Sequence, residues 1–64
     1  MRKHKVTVVE ADGTMFDTVA WIGGQMADGT KTWEFEGMDE DAIYLASKMR
    51  SKKTGKVQYV LFRQ

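Results

Sequence analysis

Apolar and polar residues alternate through two early stretches, "KHKVTVVEA" and "TMFDTVAWI", and both are rich in valine and threonine. Period-two patterning in β-favouring residues predicts two strands, and the Asp12-Gly13 step between them predicts a hairpin. A two-residue turn would pair Val9 with Phe16. A three-residue turn with Gly13 in the left-handed region pairs Val8 with Phe16 instead, and this register is preferred. It collects Val6, Val8, Phe16, Ala20 and Ile22 on one face and leaves Lys3, Lys5, Thr7 and Asp17 on the other.

The tetrapeptide ADGT at Ala11 to Thr14 recurs at Ala27 to Thr30, before "KTWEFEG", in which Trp33 and Phe35 alternate with Thr32, Glu34 and Glu36. A second hairpin is expected there. Gly23-Gly24 interrupts the long middle strand, and paired glycines inside a strand mark a bulge or a sharp bend. Without a bulge, Trp33 and Phe35 share a side with Val19 and Trp21. One extra residue moves them to the side of Ala20 and Ile22, so two core sets remain open.

The segment "GMDEDAIYLASKMRSKKTGK" reads as a helix, with Asp39 as N-cap, Glu40 and Asp41 in the first turn, basic residues at the end and Gly55 as terminator. Met38, Ala42, Leu45, Ala46 and Met49 form its apolar stripe, with Tyr44 nearly opposite. A closing strand, "KVQYVLFRQ", follows. The order strand, strand, strand, helix, strand predicts an α+β fold: a four-stranded, mostly antiparallel sheet with one helix on one face. A right-handed crossover places the last strand parallel beside the first. The alternative is a meander folded at Gly23-Gly24 into a small barrel.

Composition narrows the function classes. The chain has 64 residues, no cysteine and one histidine, His4, so one small hydrophobic core must suffice without disulfides. No apolar run approaches the roughly 20 residues needed to cross a membrane. A soluble, cytoplasmic protein, a single domain over residues 1–64 starting at its own initiator methionine, is the expectation. No cofactor or metal is expected. "DGTMFD" has too few carboxylates for a calcium loop, "KTGK" and "GGQMADGTK" lack the spacing of a phosphate loop, and Asp39 to Asp41 suit a helix start without any ion. His4 reads as a solvated strand residue. No nucleophile has a neighbouring base, so catalysis is not expected.

Charge is the sharpest signal. The formal net charge is only +1, yet all nine acids lie between Glu10 and Asp41 and nine of the ten lysines and arginines lie outside that window. Two functions follow. The first is a non-enzymatic protein-binding module, a small regulator or inhibitor of the phage-encoded kind by size alone, which docks through Glu34, Glu36, Asp39, Glu40 and Asp41 with Trp21 or Tyr44 as anchor. The second is nucleic-acid binding through Lys3, Lys5, Lys48, Arg50, Lys52, Lys53 and Lys56. It ranks lower because the whole-chain pI is near 8.0 and dedicated binders usually exceed about 9. Either a monomer or a dimer is compatible with the sequence.

Overall fold

A computed structural model describes residues 2–64, and among them there is no helix. Five strands form one mixed sheet: β1 (His4–Val9), β2 (Met15–Gln25), β3 (Lys31–Phe35), β4 (Tyr44–Arg50) and β5 (Val57–Arg63). Their order is β3-β2-β1-β5-β4, with β1 and β5 parallel and every other pair antiparallel. The sheet curls into a half-barrel. Its two edge strands, β3 and β4, lie beside one another with no ladder between them.

The concave face is the core. Val6, Val8, Ala20, Trp33, Phe35, Tyr44 and Leu61 are its buried members. Pairing of Val8 with Phe16 confirms the three-residue turn, and Gly13 sits at φ 89°. In that turn Glu10 N donates to Thr14 O at 2.8 Å, and the Thr14 amide donates to the Asp12 carboxylate at 2.9 Å. The second ADGT repeats this geometry: Met26 N donates to Thr30 O at 2.7 Å, Thr30 N to Asp28 at 2.9 Å, and Gly29 has φ 93°. The register of β2 on β3 slips between Ile22 and Gly24, which is the bulge that Gly23-Gly24 announced. Ile22 then pairs with Trp33 and Ala20 with Phe35, so both aromatic rings enter the core.

The α+β expectation is wrong in one element: the segment expected to be helical forms a turn, strand β4 and another turn. The start signal at Asp39 is real, since its carboxylate accepts from Asp41 N at 3.0 Å and its carbonyl from Ala42 N at 3.0 Å. The turn does not propagate. A short isolated helix is marginal without packing, and "YLASKMR" also fits a period of two, the ambiguity that short apolar segments carry. As a strand it pairs along its whole length with β5, from Tyr44 with Arg63 to Arg50 with Val57. It also turns the Tyr44 ring into the core at 1% exposure, while Met49 of the expected apolar stripe is 57% exposed. Gly55, at φ 71°, serves the β4–β5 turn rather than a helix end. The last strand does lie parallel beside the first, but β4 adds an outer strand beyond it.

Gly13→Ala and Gly29→Ala are each expected to lower stability by about 1 kcal/mol, because a β-carbon penalises the left-handed conformation. Asp12→Asn and Asp28→Asn keep the side-chain acceptor and should melt close to the parent protein. Urea titration of the four variants checks both halves of this expectation.

Candidate functional site

Strand polarity decides which side chains meet. Parallel β1 and β5 start at one end of the half-barrel, where β2 and β4 finish and β3 begins. The N-terminal segment, the β2–β3 turn and the β4–β5 turn therefore lie together. That end carries Arg2, Lys3, Lys5, Lys31, Lys48, Arg50, Lys52, Lys53 and Lys56, all exposed, with Asp28 in the β2–β3 turn and Glu34 in the row of Trp21 and Lys3 as its acids. The opposite end carries Glu10, Asp12, Glu36, Asp39, Glu40 and Asp41 with Arg63, while Asp17 sits in mid-sheet opposite Thr7. Charges separated in sequence become two poles in space.

The acidic pole is internally paired. Tyr44 Oη donates to Glu10 at 2.8 Å, and Arg63 bridges Glu10 at 3.3 Å and Asp39 at 3.2 Å. Burial, aided by the Glu10 carboxylate, holds the Tyr44 phenol above its ordinary value. The Asp41 amide and Arg63 hold the Asp39 carboxyl below its own. At the basic pole, among the described residues, none of the nine cations has an ion-pair partner. Lys3 Nζ lies 5.8 Å from the Trp21 ring centroid and Lys48 Nζ 5.8 Å from that of Tyr59, cation–π contacts that leave the ammonium charge uncancelled.

The acidic docking set expected from sequence does not assemble. Glu36, Asp39, Glu40 and Asp41 share the acidic pole. Glu34 instead faces away from the core beside Trp21, leaning over Gly23. Trp21 is half-buried near Lys3, and Tyr44 is buried, so its ring is not offered to a partner. All seven residues of the basic set converge. Sequence reasoning left out Arg2 and Lys31; the expected strand order already set Lys31, at the start of the third strand, on the same end as Lys3. It also misplaced His4, which packs edge-on against Trp33 at 5.4 Å and Tyr59 at 5.2 Å instead of standing in solvent.

Two grooves adjoin the basic pole. One, of about 610 Å³, lies between the β4–β5 turn and the convex face of β1 and β2, with Lys5, Lys56, Gln58 and Asp17 in its walls. Asp17 accepts from Thr7 Oγ1 at 2.8 Å, and Thr7 in turn accepts from Gln58 Nε2 at 3.0 Å. The other, of about 330 Å³, follows the open seam between β3 and β4. Among the described residues no group of acids and histidine is placed to hold a metal ion, and no helix is long and apolar enough to cross a membrane. Comparison with family models, curated proteins and solved structures finds no match to this chain.

Tyr44→Phe is expected to cost about 1 kcal/mol through loss of the Glu10 bond. The native state holds the phenol neutral, so its contribution is complete below pH about 10, the ordinary tyrosine value, and is lost as pH rises through the raised native value. Melting temperature followed from pH 8 to 11 should fall less steeply at the alkaline end in Tyr44→Phe than in the parent.

Proposed function

We propose that this protein is a non-enzymatic nucleic-acid-binding module that engages phosphates with the basic pole. The observation that carries the reading is the convergence there of nine exposed cations that have no ion-pair partner among the described residues. Whole-chain pI is a poor guide for such a molecule. Its shortest extent is 21 Å, whereas charges in physiological salt are screened over about 8 Å. A phosphate at the basic pole therefore feels the lysines and arginines and little of the acids opposite. The acidic pole orients the protein as it approaches.

A protein-docking reading rests on a different observation. Met15, Val9, Phe62 and Leu45 are consecutive cross-strand partners over β2, β1, β5 and β4, and they form an apolar row on the convex face. Met15 is 62% exposed and Phe62 41%. Such a row suits the apolar centre of a protein interface, with the adjacent acids forming part of its rim. A protein retained from nuclease-treated lysate by the parent and by Lys52→Glu/Lys53→Glu, but released by Phe62→Glu, would carry this second reading.

For the nucleic-acid reading, fluorescence anisotropy with a labelled mixed-sequence oligonucleotide is the test. With about five phosphate contacts, affinity should fall roughly a hundredfold between 50 and 200 mM salt. Lys52→Glu/Lys53→Glu should weaken binding at every salt concentration and flatten the salt slope by about 1.4 for a single strand. No binding to single- or double-stranded oligonucleotide at micromolar protein and low salt would overturn the reading.

A further inference from the structure

The seam between β3 and β4 is the place where the barrel fails to close, and its contents differ from the rest of the surface. Tyr59 and Trp33 form its floor with ring centroids 4.9 Å apart, Ile22 and Ala46 stand in its walls, and Lys31 and Lys48 flank its mouth. Trp33 is 5% exposed, whereas Tyr59 is half-buried, with His4 edge-on to its ring and Lys48 Nζ over it at 5.8 Å from the centroid. A ring that stacks on Tyr59 therefore moves the Lys48 ammonium out to the rim. Each edge strand also leaves alternate backbone amides and carbonyls without a ladder partner on the seam side. An aromatic floor, unpaired backbone groups along the edges and two cations at the rim are what a planar heteroaromatic ring tethered to a phosphate needs.

We infer that the β3–β4 seam takes one unpaired nucleobase, stacked on Tyr59, with Lys31 and Lys48 holding the flanking phosphates. The inference rests on the nucleic-acid reading and adds to it a preference for single strands. A groove of about 330 Å³ is near the lower limit of small-molecule pockets, so it accepts one ring and excludes a duplex, whose bases are already stacked on one another. The larger groove under the β4–β5 turn lacks an aromatic ring, and Asp17 in its wall opposes a phosphate. That asymmetry assigns base contact to the seam and leaves the other basic residues to track the backbone.

The test compares a labelled thymidine dodecamer with a hairpin duplex of equal phosphate number, both by anisotropy in 50 mM salt. The single strand is expected to bind at least about tenfold more tightly, and Tyr59→Leu should remove roughly a tenfold share of that preference while leaving duplex affinity unchanged. Ala46→Met, which fills the groove from β4, should do the same with the Tyr59 ring intact, so the result does not depend on one variant folding well. Lys52→Glu/Lys53→Glu should weaken both ligands together. Equal affinity for the two ligands, or parallel loss of both in Tyr59→Leu and Ala46→Met, overturns the seam site and leaves the nucleic-acid reading standing. Binding of neither ligand by the parent protein overturns both.

Discussion

A single sheet with nothing layered on it has to bury one face against itself. Every feature of this fold answers that constraint. With no helix among the described residues to cover the concave face, the strands curl until rings meet across it: Phe35 of edge strand β3 lies 4.9 Å from Tyr44 of edge strand β4, and Trp33 of β3 lies 4.9 Å from Tyr59 of β5, the strand inside β4. These aromatic contacts across the concavity do what a ladder would do in a closed barrel. Aromatic pairs contribute about 0.5–1.5 kcal/mol beyond their burial, a large share for a domain whose net stability is small. The bulge at Gly23 is part of the same solution, because it both bends β2 and turns Trp33 and Phe35 inward. So is the Tyr44–Glu10 hydrogen bond, which satisfies the one polar atom that a buried tyrosine brings to the core's acidic end.

The curl also determines what the surface can do. Side chains large enough to meet across the concavity use up the inward positions of the core, so cations are left to strand ends, turns, the convex face and the seam, where Lys48 follows Tyr44 and Ala46 on the inward side of β4. Mixed topology then sorts them. Parallel β1 and β5 put the lysines of the N-terminal segment and of the β4–β5 turn at one end, and antiparallel β4 delivers Lys48 and Arg50 to it. Had the segment been a crossover helix, Lys48 and Arg50 would have been spaced around a cylinder and would not have joined one flank of a seam.

The two hairpins were legible because each depends on local chemistry, an Asp-Gly turn between β-favouring runs. The glycine pair marked a bulge or a bend without deciding which core set Trp33 and Phe35 join, and the expected parallel placement of the closing strand rests on a crossover helix that the structure replaces with β4. The nature of β4 was not legible, and the reason is specific. Asp39, Glu40, Asp41 and Gly55 give correct local signals for a turn start and a turn end, which a helix and a strand flanked by tight turns share. Only the partner decides between them, and that partner, β5, lies beyond the intervening turn. The charge poles were half legible, since segregation along the chain is visible but its spatial meaning needs the strand directions. Misreading β4 also exchanged buried Tyr44 for an exposed anchor. The seam was not legible at all, because it is defined by two strands that do not pair.

An open seam exposes edge strands, and edges invite unwanted pairing with other chains. This protein manages its two edges differently. β4 carries Lys48 and Arg50, and β3 is short and begins at Lys31, so each edge meets solvent with a cation near the basic end. The same cations that discourage edge-to-edge association are those that would draw a phosphate chain to the seam. Gathering nine like charges destabilises the free protein through mutual repulsion, and a bound polyanion removes that repulsion. On the proposed reading the open seam, the charged edges and the basic pole are one arrangement: the half-barrel stops short of closure where Lys31 and Lys48 flank the gap.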